Sequence, residues 1–131
     1  NNIKILPVIC YEILFFWKLL HQSNINSYII VNITNDSWFG DYSGPYQHFY
    51  FAKLRAAEFN KTLIRVSVNG ISAGIDNFGR VIKFSKLNQQ QNKIISIPIN
   101  SSNNEYIKLH KIIFFLIFFP LVVILFFKKK C

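Results

Sequence analysis

The chain has 131 residues, of which 51% are hydrophobic, with 14 Phe, no Met and a formal charge of +9. That length bounds it to one domain, and an apolar C-terminal stretch leaves roughly a hundred residues for anything globular. The charge does not describe a nucleic-acid binder, because Lys128-Lys-Lys130 is a terminal cluster and the other cations are scattered singly among apolar residues, with no basic helix face.

Ile3 to Cys10 reads as a buried strand, with Pro7 suiting an edge position. The run Leu6-Pro-Val-Ile-Cys-Tyr-Glu-Ile-Leu-Phe15 carries one thiol to the head of an amphipathic helix, Glu12 to His21, whose Ile13, Phe16, Trp17 and Leu20 share a face. Backbone N–H groups and the positive end of the helix dipole favour a thiolate at such a position. The bland alternative is a small, inert core cysteine. Glu12 lies in the first turn, where a carboxylate suits the dipole.

Ser27 to Thr34 is a β-branched run and reads as a fully buried strand. Residues 35–45 are dense in turn formers and make a loop, with Asn35 and Asp36 expected in an Asx-type turn. Tyr46 to Asn60 has helical spacing; Arg55 and Glu58, spaced i,i+3, form an ion pair, and Gly44-Pro-Tyr-Gln-His48 starts the helix. Leu63 to Val68 and Gly70 to Ile75 read as strands. Asp76-Asn-Phe-Gly79 is a hairpin turn into Arg80 to Phe84, and Lys93 to Ile99 is one further strand after a polar linker. Strand–helix–strand–helix followed by antiparallel hairpins is an α/β layer pattern.

Ser101 to Glu105 is a polar hinge. Ile107 to Phe127, about 21 residues or ~31 Å of helix, is long enough to span a hydrocarbon core. Lysines bracket it, and Pro120 is tolerated in a membrane-spanning helix. Three terminal lysines against two on the other flank favour a cytoplasmic C-terminus. The organisation is thus a globular part over 1–100, a hinge over 101–106, a transmembrane helix over 107–127 and a basic tail over 128–131. Cys10 and Cys131 then lie on opposite sides of the bilayer and form no bridge. No Cys/His/Asp cluster has metal-ligand spacing, Gly70 and Gly79 make no phosphate-cradling loop, and no metal or cofactor is expected.

Ile9-Cys-Tyr-Glu-Ile13, Val31-Asn-Ile-Thr-Asn-Asp-Ser-Trp-Phe-Gly40, Gly44-Pro-Tyr-Gln-His48, Leu54-Arg-Ala-Ala-Glu58 and Asn69-Gly-Ile-Ser-Ala73 occur in that order. Together they resemble the carbon–nitrogen hydrolase (nitrilase) superfamily and, within it, the C-terminal part of the membrane-bound apolipoprotein N-acyltransferases. The resemblance implies the C-terminal half of a four-layered α-β-β-α sandwich followed by one transmembrane helix. It implies a bacterial inner-membrane enzyme with its hydrolase-like domain in the periplasm. That enzyme would take an acyl chain from a phospholipid donor, hold it as a cysteine thioester, and pass it to the N-terminal diacylglyceryl-cysteine of an apolipoprotein. Cys10 is the implied nucleophile and the backbone N–H of Tyr11 the implied oxyanion donor. Glu12 either fills the acidic position that the family needs beside the cysteine or is a helix N-terminal carboxylate. Trp38 and Phe39 lie on a loop at the active-site mouth, where they either contact acyl chains or pack beneath the loop. His48 is passed over as a base, because the family uses Glu.

The family triad is Glu–Lys–Cys, with Glu and Lys well upstream. No acidic residue precedes Cys10, and Lys4, about 20 Å away along a strand at ~3.3 Å per residue, does not fill the lysine position. The chain is therefore expected to be the back end of a longer enzyme, inactive by itself and poorly folded outside it. Two other readings stay open: a non-catalytic remnant of a split or truncated gene, and a membrane-tethered amidase.

Overall fold

The structure is a computed structural model that describes residues 3–23, 27, 29–92, 94–99, 109, 112–120 and 122. Five strands form one sheet in the order β1 (Ile5–Ile9), β2 (Ile29–Asn35), β3 (Thr62–Val68), β4 (Ala73–Ile75) and β5 (Val81–Phe84). β1, β2 and β3 are parallel, whereas β4 and β5 return antiparallel. The crossovers between the parallel strands carry α1 (Phe16–Ser23) and α2 (Ser43–Glu58). The strand–helix alternation followed by a hairpin is thus the α/β pattern expected. Pro7 sits on β1, which among the described residues has β2 as its only neighbour, so its missing N–H costs no ladder bond on a second side there.

Strand parity decides what each face of the sheet does. Leu6 and Val8 of β1, Ile30 of β2 and Leu63 of β3 point to one side and are buried with Ala73 and Ile75. Against them pack Ile13, Leu19 of α1, Ala52 and Ala56 of α2, and Phe59, which caps α2. Each fully buried large side chain here contributes about 1.5–3 kcal/mol from leaving water, and the two alanines let α2 approach closely. The opposite parity is apolar and largely exposed: Ile5, Ile9, Ile33, Val66 and Val68 are each at least half exposed, whereas Ile29 and Thr62 at one end are buried. The helices thus form one α layer packed on one β layer, an α/β arrangement.

Four expected elements differ, and local hydrogen bonding gives the reason. The helix expected over Glu12 to His21 is a 3-10 turn, Cys10–Leu14, then a break at Phe15, then α1. Arg55 Nε and Nη2 donate to the carbonyls of Ile13 and Leu14 (2.9 and 3.4 Å), which a continuous helix would use itself. The helix expected from Tyr46 starts earlier, at Ser43, because Pro45 falls in the first turn, where a missing N–H has no cost. The strand expected from Gly70 begins only at Ala73: Arg65 takes the Ile71 carbonyl (3.2 Å), and Ser72 pairs with Ser85 outside the ladder. The strand expected over Lys93 to Ile99 is absent from residues 94–99. The Pro98 and Ile94 carbonyls accept instead from the side chains of Thr62 and Lys83, while Ile95 and Ile97 lie over Gly74.

The hairpin turn at Asp76–Gly79 forms as expected. Asp76 Oδ1 accepts from the N–H groups of Phe78 and Arg80 at 2.9 and 2.8 Å. Gly79 has φ +78°, and a side chain there would meet the Lys53 carbonyl at 2.9 Å. The hinge at 101–105 and the tail at 128–131 lie outside the described residues. Of the apolar stretch 107–127, residues 109, 112–120 and 122 are helical. Among the described residues no helix is long and apolar enough to cross a membrane.

Candidate active site

The parity that buries the core also assembles a site at the C-terminal ends of the parallel strands. β1 and β2 pair residue i with i+24, ending at Ile9 and Ile33, and β2 and β3 pair i with i+33. Successive rungs on the helix-covered face are therefore Leu6–Ile30–Leu63, then Val8–Asn32–Arg65, then Cys10–Thr34–Ser67. The face passes from apolar to polar within three rungs. Such strand ends are where open α/β sheets carry their ligands.

Cys10 stands where β1 turns sharply into the 3-10 helix. Its φ is +47°, in the left-handed region that costs a non-glycine residue about 1–3 kcal/mol. The turn is fixed from two sides. Glu12 Oε2 accepts from the Ile9 N–H at 2.9 Å, and Arg55 holds the Ile13 carbonyl from α2. Glu12 Oε1 also accepts from Lys18 at 2.5 Å. These two interactions, Lys18 first, hold the Glu12 carboxyl below its ordinary range. Glu12 thus shapes the turn as a first-turn carboxylate does. The residue is partly exposed and not in a disulfide. Tyr11 follows in the first turn, where N–H groups have no partner inside the helix.

Behind Cys10 lies a buried polar network in which Asn32, Asp36, His48 and Arg65 are each no more than 2% exposed. Arg65 donates through Nη1 to Asn32 Oδ1 at 2.6 Å and through Nη2 to Asp36 Oδ2 at 2.7 Å. Asn32 in turn donates to the Val8 carbonyl at 3.1 Å. His48 Nδ1 lies 2.8 Å from Asp36 Oδ1. The carboxylate there requires a donor, which assigns the proton to Nδ1; Arg65 Nη2, 3.2 Å from the same nitrogen, is then a packing contact between donors. Burial alone would raise the Asp36 carboxyl. The His48 bond, the Arg65 charge and the Ser67 hydroxyl outweigh it and hold the group at about 2. Burial lowers Arg65 from its ordinary value against the opposing pull of Asp36 and of the nearby Cys10 sulfur. The Thr34 hydroxyl completes the network, 3.5 Å from Cys10 Sγ and 3.2 Å from Asp36 Oδ1.

Glycine and aromatic rings close the network. A side chain at Gly70 would fall 2.0 Å from Asp36 Oδ2 and 2.1 Å from Ser67 Oγ, so Asn69-Gly70 exists to let the carboxylate in. The His48 ring stacks under Tyr11 with centroids 5.5 Å apart, and Phe39 packs on both. Phe39 therefore lies beneath the loop, whereas Trp38 beside it is 84% exposed. The Asx turn forms at Asn35, which accepts from the Ser37 N–H at 3.0 Å. Asp36 is not in such a turn, contrary to expectation; its side chain is directed inward to Arg65 and His48. Arg55 and Glu58 pair as expected.

The structure therefore brings Cys10, Tyr11 and Phe39 together, leaves Trp38 at the surface, and adds Asn32, Thr34, Asp36, His48 and Arg65. The signal for the additions was parity. In Ile30-Val-Asn-Ile-Thr-Asn-Asp36 polar residues recur on one parity, at 32, 34 and 36, with Asn35 alone on the other, a pattern that a reading of the run as uniformly buried passes over.

The carbon–nitrogen hydrolase description matches residues 2–107. The chain belongs to the carbon–nitrogen hydrolase family. Relatives of this carbon–nitrogen hydrolase include an apolipoprotein N-acyltransferase of Rickettsia bellii, 49% identical over 88 residues, covering 67% of this chain and 17% of the relative. The Rickettsia typhi enzyme of the same name is 48% identical over 88 residues, 67% of this chain and 18% of its own. One from Agrobacterium fabrum is 38% identical over 120 residues, 90% of this chain and 22% of its own. The chain thus spans about a fifth of the length of these relatives. Among solved structures, Saccharomyces cerevisiae Nit3, a member of branch 10 of the nitrilase superfamily, superposes with a TM-score of 0.53. It is 15% identical, and the match covers 66% of this chain and 34% of Nit3, which establishes the nitrilase-like α/β fold with its mixed sheet.

Proposed function

We propose that the chain carries the nucleophile of an apolipoprotein N-acyltransferase. The observation that supports this most is the geometry of Cys10: a thiol in the left-handed region at the end of a parallel strand, in a chain whose relatives carry that name. The Cys10 thiolate attacks the ester carbonyl of a phospholipid. The sulfur–carbon bond forms, the ester C–O bond breaks, and the lysophospholipid leaves with a proton. The α-amino group of a diacylglyceryl-cysteine then attacks the thioester, making the amide and returning the thiol. The Tyr11 N–H stabilises the oxyanion in both steps.

The base that takes the thiol proton is assigned to the Glu and Lys that the family resemblance implies, not to a described residue of this chain. Glu12 is held by Ile9 and Lys18. Asp36, at about 2, is far too weak an acceptor for a thiol proton. The chain by itself is then inactive. The membrane setting belongs to the same proposal: 107–127 spans the inner membrane, with the hydrolase-like domain periplasmic and the lysines cytoplasmic. Trp38, exposed beside the mouth, contacts the acyl chain.

The test is the second half-reaction. The full-length protein in detergent, given a phospholipid and a diacylated lipopeptide, yields the triacylated peptide. Hydrolysis of small amides without acyl transfer would replace this reading with an amidase. Neither activity in the full-length protein would replace it with a non-catalytic remnant.

A further inference from the structure

Thr34 has one hydroxyl proton and two acceptors. Its oxygen lies between Cys10 Sγ at 3.5 Å and Asp36 Oδ1 at 3.2 Å, and the residue is 5% exposed. Parallel register puts it beside the cysteine: Ile9 pairs with Ile33, so residues 10 and 34 are the next couple on the buried face. The carboxylate does not depend on Thr34, because His48 and Arg65 already donate to it. The hydroxyl is therefore free to rotate between its two neighbours. We propose that Thr34 is a positioning residue for the nucleophile, a hydroxyl that turns its proton to the Cys10 sulfur when that sulfur is a thiolate and back to Asp36 when the sulfur is protonated or acylated.

The states balance without loss of a proton. In the thiol state, S–H donates to Thr34 Oγ1 and Thr34 donates to Asp36. Once the base has taken the thiol proton, the hydroxyl rotates and donates to the sulfur, holding it at the end of β1. When the thioester forms, the sulfur becomes a poor acceptor and the hydroxyl returns to the carboxylate. The buried Asp36–Arg65 pair is the fixed end of this arrangement, which explains why a carboxylate at about 2 sits so close to the sulfur without serving as a base. The other charged or titratable groups around Cys10 are Glu12 in its own turn, Arg65 on β3 and His48 on α2. Of these, Glu12 has no bond to Thr34, and Arg65 and His48 keep their own bonds to Asp36 when the hydroxyl is removed.

The inference rests on Cys10 being the nucleophile, and its test is separate from acyl transfer. The pH profile of iodoacetamide alkylation is measured on the full-length protein by mass spectrometry of the Cys10 peptide. Thr34→Val keeps the shape and loses the donor. Its profile moves to higher pH by about one unit, and alkylation near neutrality slows by up to about tenfold, the scale of one hydrogen bond to a charged group. Thr34→Ser keeps the wild-type profile. Thr34→Ala, smaller and also without the donor, moves it as Thr34→Val does, which covers the case in which valine does not fit. A Thr34→Val or Thr34→Ala profile superimposed on wild type overturns the inference, and so does a Thr34→Ser profile shifted as far as valine. Acyl transfer with an unshifted Thr34→Val profile overturns Thr34 alone. The expected shift in a protein that forms no acyl adduct overturns the acyltransferase reading and leaves Thr34 in place.

Discussion

Asp36→Asn removes one charge from the buried network and preserves its shape. The asparagine oxygen still accepts from His48, but Arg65, 1% exposed, loses its counter-ion. A buried charge left unpaired costs about 3–5 kcal/mol. The wild-type pH dependence supplies a second, independent magnitude. The Asp36 carboxyl is held at about 2 against an ordinary 3.8. The unfolded chain therefore takes up the proton first as pH falls. Stability from this group is fully present above pH 3.8 and is lost as pH drops through 2, and a difference of just under two units corresponds to roughly 2 kcal/mol. Urea titrations followed by circular dichroism, at neutral pH and at steps from pH 5 to pH 2, read both quantities. Asp36→Asn is expected to be less stable by about 3–5 kcal/mol at neutral pH and to lack this part of the acid limb. A variant within about 1 kcal/mol of wild type, with an unchanged acid limb, would refute the assignment of Asp36 and Arg65 as a mutually dependent buried pair.

Gly70→Ala places a methyl group 2.0 Å from Asp36 Oδ2, so it should destabilise by at least the 1–3 kcal/mol typical of overpacking (about that range); thermal melting checks it. Arg55→Met keeps the packing over Phe16 and loses the bonds to Ile13 and Leu14; it should cost about 1–3 kcal/mol and slow acylation of Cys10 more than binding of the donor, read as a fall in kcat with little change in KM. The 131-residue chain expressed alone should form no acyl adduct under conditions in which the full-length protein does, measured by retention of labelled acyl chain. With the outer membrane opened, an impermeant maleimide should label a cysteine placed at exposed Gln90 in intact cells and Cys131 only after lysis; the reverse order would invert the proposed topology.

The sequence made the alternation of strands and helices legible because apolar periodicity dominates in the core, where Leu6, Val8, Ile30 and Leu63 each follow strand parity. The placement of Cys10 at the end of β1 was legible from its neighbours. Its left-handed backbone was not, because no propensity marks a cysteine for that region. The break at Phe15 depends on Arg55, more than forty residues away in α2, and no local pattern reports a distant guanidinium taking helix carbonyls. Asp36 was misassigned for a related reason: Asn and Asp share turn chemistry, and what separates them here is the long-range partner Arg65, reached only once β2 and β3 are in register. Gly70 shows the same dependence, since its missing side chain matters only to a carboxylate from another strand end.

Whether Cys10 carries the acyl chain is read by mass mapping of the trapped intermediate. The full-length protein is incubated with a phospholipid bearing a labelled acyl chain, without acceptor peptide, and digested. One acyl chain is expected on the Cys10 peptide, released by neutral hydroxylamine as a thioester should be and absent from Cys10→Ala. Hydroxylamine-labile label that persists in Cys10→Ala, or that maps to another residue of the wild-type protein, would contradict it.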